Sequence, residues 1–132
     1  MEGSNVERGN NRDNLMIILT TGPEDRGNRA TLAFAMGVSA LVSGVETTIF
    51  MTMSGTFWSQ ITSYERVHIN GFEPLQVYVE QYQELGGKIL VCSPCYDFYC
   101  SIAPGSTMLA GAHLGGLTHV VDQVMTSSTV TL

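Results

Sequence analysis

Positive charge is scarce in this chain. One lysine and five arginines stand against twelve acidic residues, a net charge of −6. Four of the six basic residues precede residue 30. No basic patch can be assembled from the rest, so neither phosphate neutralisation along a nucleic acid nor attraction to an anionic membrane is expected. Cysteine is also sparse: three residues, an odd count, far below a disulfide framework. Long apolar runs are missing, and nothing approaches the ~20 residues of a membrane helix. Residues 1–13 (MEGSNVERGNNRD) hold only Met1 and Val6 as apolar groups and lack a signal-peptide pattern. These absences predict a cytoplasmic protein with reduced cysteines, preceded by a flexible tail over residues 1–13.

Cofactor and hydrolase motifs are absent too. Thr21-Gly22-Pro23-Glu24-Asp25 follows the first predicted strand, where a nucleotide fold would bind phosphate. It has neither G-x-G-x-x-G nor P-loop spacing, and its two carboxylates repel phosphate. No nucleotide or flavin cofactor is expected. Glu24 and Asp25 are read instead as partners of a helix N-terminus. G-x-S-x-G is missing, which argues against an α/β hydrolase.

What is present is a regular alternation. Leu15–Leu19 is a short apolar run bounded by turn signals, a strand buried on both faces. Arg29–Val42 reads as a helix closed by Gly44. Glu46–Met53 is a second strand, rich in β-branched and aromatic residues. Phe57 and Trp58 begin either a short helix or a loop over a site. Pro74–Leu85 has apolar residues at helical spacing, with Pro74 in its first turn and Gly86-Gly87 at its end. Lys88–Val91 is the third strand. A short helix or turn runs from Pro94 to about Cys100, Pro104-Gly105 breaks it, and Ser106 caps a new turn. Ala112–Leu114, Leu117–Met125 and Thr129–Leu132 complete a strand, a helix and a strand. The pattern predicts one α/β domain over residues 14–132: a small doubly wound α/β/α fold with a five-stranded, mostly parallel sheet, flavodoxin-like in type. Ligands in such folds bind beyond the carboxyl ends of the strands.

That rule draws attention to Cys92, Cys95 and Cys100. Cys92 directly follows the third strand; Ser93 can cap the next helix and Pro94 can begin it. Cys92 and Cys95 then sit near the positive end of a helix, which favours the reactive thiolate. Tyr96, Phe98 and Tyr99 would exclude water and oppose that effect. A straight helix would hold Cys92 and Cys100 about 12 Å apart along its axis, beyond the reach of a disulfide unless the segment bends. Buried, inert thiols are the plain alternative for any one cysteine. Three within nine residues at a strand's carboxyl end favour chemistry. Zinc, with His113 or His119 as fourth ligand, is disfavoured because structural sites usually pair two cysteine clusters.

The same residues carry a family resemblance. Leu15-Met16-Ile17-Ile18-Leu19-Thr20-Thr21-Gly22-Pro23-Glu24-Asp25, Arg29–Ala35, Val45–Phe50 and, above all, Gly86-Gly87-Lys88-Ile89-Leu90-Val91-Cys92-Ser93-Pro94-Cys95 resemble the DsrE/DsrF-like family of small sulfur-transfer proteins. The resemblance spans about residues 14–132. It implies a sulfur carrier whose Cys92 accepts a sulfane sulfur as a persulfide, from a small donor or a rhodanese-like protein, and passes it to a TusA-like carrier. It implies that Cys100, and by extension Cys95, assists, and that the subunit assembles as a homotrimer or homohexamer. Tyr96-Asp97-Phe98-Tyr99 departs from the small or basic residues usual in relatives, often ending in Arg-Gly. A non-catalytic binding module and a thiol peroxidase are the competing readings. His113 could approach the cysteines, though a packing or surface role is favoured; His68 and His119 are read as solvated. Met51, Met53, Phe57, Trp58 and Tyr64 are read as core or subunit contact rather than as a lid.

Overall fold

A computed structural model describes residues 14–100 and 108–132. The tail over 1–13 and the break at Pro104-Gly105-Ser106 lie outside the described residues. Five strands and four α-helices alternate: β1 (Asn14–Leu19), α1 (Asn28–Val42), β2 (Glu46–Met51), α2 (Leu75–Glu84), β3 (Lys88–Cys92), α3 (Ser93–Cys100), β4 (Ala112–Gly115), α4 (Leu117–Val124) and β5 (Ser128–Thr131). Two 3-10 turns, Pro23–Asp25 and Met53–Ser59, follow β1 and β2. The second accounts for Phe57 and Trp58, and it shortens the predicted second strand by two residues. At Met53 the backbone turns left-handed, with φ of 53°, and leaves the sheet.

All four strand pairings are parallel, and the order is 4-3-2-1-5. The class is the predicted doubly wound α/β one; within it β5 lies beside β1, whereas flavodoxin's order places β1 between β2 and β3. Steps from β1 through β4 all move one way across the sheet, so right-handed crossovers put α1 and α2 on one face. The return from β4 to β5 reverses, and α4 falls on the other face. The packing agrees. Ile17, Leu19, Ile49, Met51, Ile89 and Val91 pack with Ala30, Phe34, Leu75, Val79 and Tyr82 from α1 and α2. On the opposite face Met16, Phe50, Leu90 and Cys92 pack with Val120.

The first layer is locked by Tyr82. Its ring meets Phe34 edge-on at 5.5 Å, and its single hydroxyl proton is shared between the carbonyls of Lys88 (2.6 Å, the shorter arm) and Thr47 (3.1 Å). Burial drives the phenol pKa well up, so it stays a donor. Gly87 makes the fit possible: a Cβ there would stand 2.3 Å from the ring. The second layer is thinner. In α4 only Val120 is buried, while Leu117, Val121 and Met125 are 61%, 58% and 76% exposed. No described helix is long and apolar enough to cross a membrane.

A cysteine site at the carboxyl edge of the sheet

β3 and β4 are neighbours, and their outgoing helices leave toward opposite faces. Connections that diverge in this way open a crevice beyond the strand ends. Cys92 is the last residue of β3 and pairs in register with Gly115, the last of β4. The chain then enters α3 with no intervening loop. Ser93 is its first helical residue rather than its cap, and the Ser93 hydroxyl donates to the Gly115 carbonyl at 3.4 Å.

The three thiols are free and differently placed. Cys92 is 4% exposed, within the apolar layer of Met16, Phe50, Leu90 and Val120. Cys95, in the first turn of α3, packs against that layer but remains partly exposed. Its sulfur lies 3.5 Å from Thr52 Oγ1. Partial burial alone would raise the Cys95 pKa; hydrogen bonds from the Thr52 hydroxyl, the Cys92 thiol and the Met53 N–H outweigh it and lower the value below that of an ordinary thiol. Cys100 is buried at the end of the helix, with its sulfur 3.5 Å from the Thr56 carbonyl and 3.7 Å from Thr56 Oγ1. Burial pushes its pKa up, against the Thr56 hydrogen bond.

The structure therefore brings Cys92 and Cys95 together and holds Cys100 elsewhere. The helix from Ser93 to Cys100 is continuous, so the bend that a Cys92–Cys100 contact requires is absent. Tyr96 packs toward the first layer, and Phe98 and Tyr99 are exposed, so these aromatics do not seal the cysteines from water.

The segment after β2 supplies the site's other half, and sequence reasoning missed it. Thr52 and Met53 touch Cys95, and Thr56 touches Cys100. A signal existed in the strand adjacency: Met51 pairs with Val91, so Thr52 comes level with Cys92. The segment is itself anchored to the loop after β1. Ser54 donates to Glu24, Gly22 N–H donates to Ser54 at 3.0 Å, and Trp58 Nε1 donates to the Thr21 carbonyl at 2.9 Å. The Ser54 hydrogen bond holds the Glu24 carboxyl below its usual range.

The remaining candidates are scattered. Asp25 caps α1, accepting from the Gly27 and Arg29 N–H groups at 3.0 and 2.9 Å; a carboxylate thus occupies the place a phosphate would need. His68 pairs with the Phe72 carbonyl and His119 with Gln123. His113 is exposed on β4, opposite Leu90 in register, and lines a groove of about 740 Å³ with His119 and Gln123. No cysteine lines that groove. Among the described residues, no three His, Cys, Asp or Glu side chains converge as a metal site. Met51, Trp58 and Tyr64 are core, Phe57 packs against them, and Met53 is exposed.

A cysteine at the end of the third strand of a parallel sheet, preceded by Gly86-Gly87, is the arrangement that the sequence resemblance implied. The DsrE/DsrF-like family matches residues 13–130. The chain belongs to that family. The fold of this DsrE-like chain is similar to the crystal structure of the ychN protein from E. coli, with a TM-score of 0.70 at 10% identity, covering 91% of this chain and 99% of that one. No curated protein matches it.

Proposed function

We propose that this protein is a sulfur carrier of the sulfur-relay type, which accepts a sulfane sulfur on a cysteine of the 92–95 pair and passes it on by persulfide exchange. Membership of a family of small sulfur-transfer proteins supports the reading. The observation that carries it is the pair of free, adjacent thiols at the carboxyl end of β3, one of them accessible and favoured as thiolate. A thiolate is the form that attacks sulfane sulfur. The chemistry needs no resident metal or organic cofactor. The donor is a small sulfane compound or a rhodanese-like protein, and the acceptor a TusA-like carrier. With a charge of −6, docking favours a basic partner surface and weakens at high salt. The working form is a homotrimer or homohexamer, supported by the exposed apolar stripe Leu117, Val121 and Met125 on α4.

Intact-mass measurement after exposure to inorganic polysulfide, thiosulfate or tetrathionate tests the reading; tetrathionate is the donor of a thiosulfonate group, with thiosulfate as leaving group. The expected result is a gain of one sulfur atom or one thiosulfonate group, reversed by dithiothreitol and absent when all three cysteines are serine. An unchanged mass with every donor rejects sulfur carriage.

A further inference from the structure

Two of the three thiols stand where a single turn of helix can join them. Cys92 directly precedes Ser93, the first residue of α3, and Cys95 lies three residues on in the first turn. Helix geometry places Cα atoms three apart at about 5 Å, five apart at about 9 Å and eight apart at about 12 Å. A disulfide needs about 4.4–6.8 Å. The helix from Ser93 to Cys100 is continuous. Cys92 and Cys95 therefore meet the limit, while Cys95–Cys100 and Cys92–Cys100 exceed it.

Packing divides the cysteines in the same way. Cys92 belongs to the second apolar layer and Cys95 packs against it. The Cys92 thiol donates to the Cys95 sulfur, and both are free. Cys100 stands apart, with its sulfur 3.5 Å from the Thr56 carbonyl and 3.7 Å from Thr56 Oγ1. Cys92 is 4% exposed. A sulfur carried there, where the family resemblance implies it, lies among apolar side chains with Cys95 as the thiol in contact. Cys95 itself is partly exposed, and the Thr52 hydroxyl lies 3.5 Å from its sulfur.

We propose that Cys95 is a resolving cysteine, and that this chain, besides carrying sulfane sulfur, reduces it to sulfide through a Cys92–Cys95 disulfide. The proposal rests on the sulfur-carrier reading and keeps Cys92 as the sulfur-bearing residue. The Cys95 thiol loses its proton to solvent, and its thiolate attacks Cys92 Sγ of the persulfide, Cys92–S–SH. A bond forms between the two cysteine sulfurs, the bond to the outer sulfur breaks, and that sulfur departs as HS⁻ with the electron pair. The sulfane sulfur gains two electrons and the two cysteines lose them, so no outside oxidant takes part. An external dithiol then reduces the disulfide by exchange, becomes a disulfide itself and restores both thiols. Attack within the chain outruns exchange with a dilute acceptor, so a docked acceptor is what diverts the sulfur to relay.

A single turnover on the reduced full chain, without dithiol and without air, tests this. Inorganic polysulfide is added and the reaction is quenched at intervals with excess iodoacetamide. Cleavage before Asp97 then separates Cys92 and Cys95 from Cys100. In wild type, an added sulfur atom on the peptide holding Cys92 and Cys95 should appear first. It should give way to an unalkylated peptide lacking two hydrogens, with about one sulfide released per chain above a protein-free control. Cys95→Ser should hold the added sulfur on Cys92 about tenfold longer or more, with no sulfide burst, and Cys100→Ser should match wild type. Stable added sulfur in wild type, with the remaining thiols alkylated, overturns the inference and leaves sulfur carriage standing. So does a disulfide that includes Cys100. A Cys92–Cys95 disulfide with added sulfur found on neither wild type nor Cys95→Ser, or no change at all, overturns the carrier reading and this inference with it. The order of species in wild type is read without any variant, so a Cys95→Ser chain that fails to fold leaves the test intact.

Discussion

At the scale of single residues, Tyr82 shows how much one buried polar tip contributes. The hydroxyl serves two strand carbonyls, those of Lys88 and Thr47. Lys88 begins β3, so the contact helps fix the strand that ends in Cys92. Tyr82→Phe keeps the ring against Phe34 and Gly87 but removes the shared hydrogen bond. It should destabilise by about 1–2 kcal/mol, seen as a lower urea midpoint with unchanged slope. A change below about 0.3 kcal/mol would mean the carbonyls find other donors. The three cysteines teach a related lesson. They share one chemistry and nine residues of sequence, yet their surroundings give one accessible thiol and two buried ones.

At the scale of elements, α1 is held at its start by a residue outside the helix. Gly27, the N-cap, has no side chain, and Asp25 accepts from the Gly27 and Arg29 N–H groups in its place. Its ion pair with Arg29, at 3.4 Å and half solvated, adds little. Asp25→Ala should cost about 1 kcal/mol of stability, measured by thermal or urea unfolding, while sulfur loading stays at the wild-type level. The strands and helices were legible in the chain because their signals are local: Leu15–Leu19 and Lys88–Val91 are apolar runs between turn residues, and Gly44 and Gly86 mark helix ends. The strand order was not. Each β-α-β step fixes a handedness but not the side of β1 on which the last strand joins. The cysteine segment was found at the right edge of the sheet, since position after β3 is itself a sequence property. Its donors were not, because Thr52-Met53-Ser54-Gly55-Thr56 shows no helical or strand period and acts through a turn conformation that only the backbone reveals.

At the scale of the whole molecule, the two layers are unequal. Two long helices cover one face, and a single short one covers the other. α4 turns Val120 inward and leaves Leu117, Val121 and Met125 outward at four-residue spacing. Among the described residues nothing covers this stripe, which is why the proposed oligomer is placed there. Under that proposal Val121→Glu converts the oligomer to monomers in sedimentation velocity while changing subunit stability by less than about 0.5 kcal/mol. A wild-type protein that sediments as a monomer at micromolar concentration would reject the oligomer outright.

The chain has one tryptophan, Trp58. It sits 2% exposed in the same short turn whose Thr52, Met53 and Thr56 contact Cys95 and Cys100, and its indole N–H is fixed to Thr21. The molecule thus contains its own optical reporter, held in the segment that contacts the cysteines. Under the proposed function, polarizable sulfur added to one of these thiols changes the field around the indole, so its arrival and departure can be timed by intrinsic fluorescence without a label.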